Sequence, residues 1–206
     1  MQPENESTVQ RPLTFIEKAR RAQIVACAIE TIAAMGYARA SLAQIAGRAG
    51  ISKGAISYHF AGKQALIQQV VADVFSAGAG FMRPRIEAQS TAMGMVRAYI
   101  ESNLEFMRTH RAHITALVEI AANVRAQGTA FAQDWLDAAV SDLERILQHG
   151  QDTGEFRPLS NRVVAMTVRS AIDAVPGQLS KSPTLDLGSY AQELVTLFER
   201  AIRAQS

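Results

Sequence analysis

Apolar residues recur at helical spacing from Phe15 to the end of the chain, and no Gly- or Pro-rich stretch long enough for a linker follows Phe60. The pattern therefore predicts an all-α protein. Thr14 and Glu17 form a capping box ahead of a first helix beginning near Phe15, with Ile24, Cys27, Ala28 and Ile32 on its inner stripe. Ser41 and Gln44 form a second capping box, followed by Leu42, Ile45, Ala46 and Ala49, so a short helix starts at Ser41 and ends near Ala49. Gly50 stands where a helix end needs a left-handed residue, and Ser52 caps another helix beginning at Lys53. The turn Gly50-Ile51-Ser52 is short enough to force the two helices into a steep crossing. Ile56 and Phe60, four apart, face inward, which turns Gly54, Ala55, Ser57 and Tyr58 outward.

That outer face is small, polar and free of acid, as a helix entering a DNA major groove requires. Glycine inside an exposed helix costs roughly 1 kcal/mol relative to alanine, so Gly54 asks for a compensating close approach. Tyr58, His59 and Lys63 bring a hydroxyl, an imidazole and an ammonium to the edge of the same face, where they suit phosphate contacts. The plainer alternative is a polar surface helix with a tolerated glycine.

The stretch from Arg21 to Val71 resembles the N-terminal domain of the TetR family of transcriptional regulators. The resemblance rests on Ile24 and Ala28, Gly36-Tyr37, Ser41-Leu42, Ile45-Ala46, the run Ala49-Gly50-Ile51-Ser52-Lys53-Gly54, Tyr58-His59-Phe60, Lys63 and Leu66. It implies a three-helix DNA-binding domain whose third helix reads the major groove, joined to a helical ligand-binding and dimerisation domain. By position, Ser41, Tyr58 and Lys63 are implied phosphate holders, with Gln44 beside them. Lys53, Gly54, Ala55, Ser57 and His59 fall near base edges, and Ser57 stands where the family often has an aromatic residue. The expected organisation is a flexible tail over 1–13, a helix-turn-helix domain over 14–62 with its motif at 41–60, and a C-terminal domain over 63–206.

Beyond the motif, a helix from about Lys63 to Phe81 carries Leu66, Val70, Val74 and Phe75 toward the first domain, with Pro84 as its boundary. Further helices are expected over about 91–108, 112–125 and 129–149, then a turn over Gly150 to Pro158. Two final helices follow over about 160–175 and 185–204, with breaks at Pro176-Gly177 and Pro183. These last two present Val164, Val168, Ala171, Ile172 and Val175, then Tyr190, Leu194, Leu197, Phe198, Ala201 and Ile202. That is more apolar surface than one core obviously needs, and the family resemblance implies a homodimer through both helices. Two recognition helices about 34 Å apart then meet successive major grooves of a palindrome.

The net charge of +2 argues little, but its distribution is uneven. Residues 1–63 hold eight basic and four acidic side chains, and the rest of the chain thirteen basic and fifteen acidic. Positive charge thus gathers in the part of the chain that holds the expected groove-facing helix. A single cysteine, Cys27, excludes a disulfide within the chain and suits a small core residue. The first residues lack the pattern of a signal peptide, and no uninterrupted apolar run approaches the ~20 residues of a membrane span, so a cytoplasmic protein with no membrane partner is expected.

No nucleophile, base and acid stand at a catalytic spacing, and no Gly-rich phosphate loop appears, so no catalytic residue, cofactor or metal is assigned. His110 and His113 share a helical turn, but no Cys or carboxylate completes a ligand set. Arg169 and Asp173, four apart, read as a surface ion pair. Candidate lining for a small-molecule effector is Phe106, Met107, His110, His113, Leu117, Phe131, Trp135, Met166 and Arg169, a set that equally describes a helical core. The expected function is a ligand-responsive repressor that binds a double-stranded DNA operator as a dimer and is released by an effector. The alternative is a ligand-independent DNA-binding protein or an activator.

Overall fold

The computed structural model describes residues 14–126, 133–182 and 184–204, and ten helices account for nearly all of them. Helices α1 (Phe15–Met35), α2 (Leu42–Ala49) and α3 (Lys53–His59) enclose an N-terminal core with the first half of α4 (Gly62–Glu87). Ile24, Ala28, Ile32, Ile45, Ile56, Leu66 and Val70 are completely or almost completely withdrawn from solvent there. Each of the isoleucines, Leu66 and Val70 is worth about 1.5–3 kcal/mol in transfer terms, which fixes the short helices against one another. Ala116 and Ile120 of α6 (Arg111–Ala126) also belong to this core. Cys27 is half-buried at its edge.

The second core gathers α5 (Ala92–Thr109), α7 (Gln133–Asp152), α8 (Asn161–Asp173), the short α9 (Val175–Lys181) and α10 (Leu187–Ile202). The expected apolar positions of α5, from Val96 to Met107, are buried in it, and so are Val168, Ile172, Val175, Phe198 and Ile202.

Three boundaries differ from the expected ones. Pro84 does not end α4, which continues to Glu87. A proline there forfeits a single bond, to the Gly80 carbonyl, and glycine at that position gives the ring room. Gly150 lies inside α7 rather than in a turn, and the Phe156 ring packs onto the space its missing side chain leaves. The break falls at Ala174, after which Pro176-Gly177 lie in the first turn of α9, where proline donates no bond that the helix needs. The expected tail, the start of the helix drawn from 129, and Phe131 lie outside the described residues.

Among the described residues, α4 alone is long and apolar enough to cross a membrane by length and composition. Gln68, Gln69 and Asp73 interrupt it, and Leu66, Ile67, Val70, Val71 and Val74 pack into the N-terminal core.

Candidate nucleic-acid interface

Both motif helices are fastened at their starts by their own side chains. Ser41 Oγ accepts from the Gln44 amide at 3.3 Å, and the Gln44 carboxamide oxygen accepts from the Ser41 amide at 3.0 Å, completing the reciprocal cap of α2. Gly50 adopts a left-handed conformation with φ of 65°, while the Gly50 and Ile51 amides bond back to the carbonyls of Gly47 and Ala46. Ser52 Oγ then accepts from the Ala55 amide at 3.1 Å and starts α3.

Ile56 is fully buried and Phe60 nearly so, which leaves Lys53, Gly54, Ser57 and Tyr58 exposed on the opposite face. Tyr58 is 75% exposed, with its hydroxyl 3.4 Å from Glu17 Oε1 and its ring edge-on to His59. A β-carbon on Gly54 would come within 4 Å of the Ser52 hydroxyl alone, so the backbone there is open to an approaching surface. Ser57 Oγ donates back to the Lys53 carbonyl at 3.2 Å. Ser41 and Gln44 are exposed beside this face on α2.

Lys63 sits differently from the rest. Its ammonium is half-buried, donates to the Tyr37 carbonyl at 2.8 Å and lies 4.3 Å from the Tyr37 ring centroid, and burial lowers its pKa. It thus ties α4 to the turn after α1 while keeping further protons for another acceptor. The Tyr37 amide in turn donates to Glu119 Oε2 on α6 at 3.2 Å.

Several fastenings were not read from the sequence. Arg21 donates to the His59 carbonyl at the end of α3 and to Gln69 Oε1 of α4 at 3.0 Å, while Gln23 Nε2 donates to the Ala49 carbonyl at the end of α2 at 3.2 Å. A signal existed for Arg21, which stands three and seven residues before Ile24 and Ala28 and so continues their inward stripe. Lys18 and Arg20 remain exposed.

The candidate effector residues do not form one group. Phe106, His110 and His113 join Phe81 in a ring cluster, with Phe106 stacked on His110 at 4.2 Å between centroids and His110 edge-on to His113 at 5.5 Å. Burial lowers the His113 pKa, His110 lowers it further and Glu30 opposes both. Among the described residues no three His, Cys, Asp or Glu are gathered closely enough to hold a metal ion. Met107 packs in the C-terminal core, whereas Leu117 packs against the N-terminal one and Met166 is 50% exposed on α8. Trp135 lies on α7, with its side chain outside the described part.

Arg169 is not half of a surface pair. It is buried, pairs with Asp173, and donates to the Tyr99 hydroxyl at 3.2 Å and Asn103 Oδ1 at 3.3 Å on α5. The inward face of α8 carries it against those two polar groups, which the i, i+4 spacing alone does not disclose. Burial raises the Tyr99 hydroxyl and the Asp173 carboxyl above their ordinary values, against the pull of Arg169.

Two short helices joined by the turn Gly50-Ile51-Ser52, packed with α1 in one core and presenting one small polar face, have the form of a helix-turn-helix domain carried on a helical body. Residues 24–70 match the family model of bacterial regulatory proteins, tetR family. The N-terminal domain is thus similar to the DNA-binding domain of that family. The transcriptional regulator BetI 1 of Chromohalobacter salexigens is 38% identical over 63 residues, 31% of this chain and 31% of that protein. The chain thus matches about a third of the length of this curated relative.

Solved structures extend the likeness to the whole fold. FadR of Bacillus subtilis, determined with stearoyl-CoA, has a TM-score of 0.77 at 20% identity, covering 85% of this chain and 96% of that one. A regulator of Saccharomonospora viridis, determined with choline, gives 0.78 at 19% identity over 91% and 100%. AibR, determined with isovaleryl coenzyme A and operator DNA, gives 0.71 at 18% identity over 86% and 97%.

Proposed function

We propose that this chain is a DNA-binding transcriptional regulator rather than an enzyme, acting in the cytoplasm as a ligand-responsive repressor. It grips a palindromic operator as a homodimer and lets go when a small-molecule effector binds the C-terminal body. The observation that carries the reading is the outer face of α3, where Lys53, Gly54, Ser57 and Tyr58 are exposed beside the capped start of α2 with no acidic side chain among them. In this reading Ser41, Tyr58 and Lys63 hold phosphates, and Lys53, Gly54, Ala55, Ser57 and His59 lie along base edges.

The dimer is proposed through α8 and α10, but not by most of the residues that helical periodicity selects. Val168, Ile172, Val175, Phe198 and Ile202 finish the protomer's own core, whereas Val163, Met166 and Leu197 stay exposed at 61%, 50% and 58%. Val163 and Met166 share a face of α8 at a spacing of three, and Leu197 and Ala201 share one of α10 at a spacing of four. These are the side chains a second copy would cover.

The effector is unassigned. The matched regulators determined with coenzyme A thioesters and with choline support a ligand-responsive body and give two chemical classes to try. The alternative, a ligand-independent DNA-binding protein or an activator, takes the ring cluster as core packing, with Phe106 stacked on His110.

The experiment is fluorescence anisotropy of duplexes, taken from upstream DNA or selected from a random pool, with increasing salt and then with stearoyl-CoA or choline added. Binding that weakens linearly in log salt, and release by one of the compounds, is the expected result. No salt-dependent binding to any duplex removes the DNA reading, and binding indifferent to every compound favours the alternative.

A further inference from the structure

We infer that Arg21 is a positioning residue for the recognition helix, acting on DNA through α3 and not by touching a phosphate. The inference rests on the DNA-binding reading of α3. With seven residues, α3 is too short to hold its own geometry, so its aim depends on its fastenings. Ser52 holds the start and the buried Ile56 the middle, but the far end has no side-chain cap of its own. Arg21 supplies it. One arm of the guanidinium donates to the His59 carbonyl, the last of α3, and the other donates to Gln69 Oε1 on α4 at 3.0 Å. The guanidinium carbon lies 4.1 Å from the centroid of the Phe60 ring.

A planar fork that bonds in two directions while stacking on a ring is what separates arginine from lysine. Its charge also complements the partial negative charge at the carboxyl end of α3. Gln69 Nε2 donates onward to Asp73 Oδ1 at 2.8 Å, so the far end of α3 is tied through Arg21 to the second turn of α4 and beyond. A cleft of about 410 Å³ lined by Arg21, His59, Phe60, Gln68 and Gln69 opens beside this contact. The guanidinium is held at that cleft by two protein acceptors and a ring.

The test uses the full chain and a duplex selected with it from a random double-stranded pool. Failure to select any duplex overturns the DNA reading, and this inference with it, before any variant is made. With a duplex in hand, affinity is measured across salt concentrations for Arg21→Lys, Arg21→Ala and Gln69→Leu, with the folded fraction followed by circular dichroism. The expected result is a loss of about tenfold or more for Arg21→Lys although the charge is kept, and a smaller loss for Gln69→Leu. All variants should keep the wild-type slope of log affinity against log salt. If Arg21→Lys binds like the wild type, or Arg21→Ala lowers the slope by about one, Arg21 holds a phosphate and the inference fails. It fails equally if the loss in each variant matches its unfolded fraction. Should Arg21→Ala not fold, the lysine and Gln69 variants decide.

Discussion

Replacing Gly54 with alanine should strengthen the protein and weaken its grip on DNA, a pair of effects with opposite signs. Gly54 is the second residue of α3, and its φ is not positive, so an L side chain fits the backbone. A β-carbon there meets nothing within 4 Å except the Ser52 hydroxyl at 3.7 Å, an ordinary contact. Removing glycine's extra freedom near a helix start is worth about 0.5 kcal/mol, and for a chain of this length that raises Tm by about 1–2 °C. On the operator the same methyl occupies the space between the helix backbone and the floor of the groove. Backing the helix away costs about 1–3 kcal/mol, a five- to 150-fold loss of affinity. Thermal melts and anisotropy on one preparation read both quantities. A fall in Tm would show that Gly54 serves the free fold, and an unchanged Kd would show that α3 does not approach DNA by this face. Either result refutes the reasoning.

Three other outcomes follow from the structure. The His113 pKa is lowered by burial, with His110 adding to the effect, so the folded state prefers the neutral ring; stability is full above the ordinary value of 6.5 and is lost progressively as pH falls from there through the lowered folded value. Thermal melts between about pH 7.5 and 5.5 should show a shallower decline for His113→Gln than for the wild type. Gly150→Ala places a β-carbon 2.1 Å from Phe156 Cδ2, whose ring is buried, so the ring must leave its site at a cost of about 1–3 kcal/mol, read as a lower urea midpoint; an unchanged midpoint would mean the ring has another place to go. Val163→Lys combined with Leu197→Lys alters two exposed apolar side chains, so sedimentation should shift from dimer to monomer while Tm at equal protomer concentration falls only through lost association. A wild-type chain that sediments as a monomer at micromolar concentration would end the dimer reading.

The sequence disclosed what is local. Ser41 with Gln44, Thr14 with Glu17, and Gly50 before Ser52 are signals confined to four residues, and each produces the cap it predicts. Helical periodicity also identified the buried face of α5. Periodicity says that a residue is inside without saying against what, and there the reading was weakest. Val168, Ile172, Phe198 and Ile202 have the spacing of an interface and serve the protomer's core, while Met166, grouped with the effector residues, is exposed. Arg169 and Asp173 gave only their own spacing; Tyr99 and Asn103, about seventy residues earlier, decide that the arginine is buried. Contacts such as Arg21 to His59 and Tyr37 to Glu119 join residues far apart in sequence, and no pattern along one chain reports them.

The expected boundary at residue 62 has a consequence for the proposed switch. Ala116 and Ile120 complete the N-terminal core from α6, and Glu119 between them accepts from the Tyr37 amide, so the reading head is built partly from the helix that the sequence assigns wholly to the ligand body. An effector therefore need not act through the tilt of α4 alone. A tenfold release of DNA requires only about 1.4 kcal/mol of ligand preference for the released state. Withdrawing Ile120 from water is worth about 1.5–3 kcal/mol on its own, and it is 1% exposed. A displacement of α6 that exposes half of that side chain already spends an amount comparable with the whole switch. The coupling that a tenfold release needs and the packing of Ile120 are then of comparable size, the condition under which a ligand that shifts α6 can change the affinity for DNA.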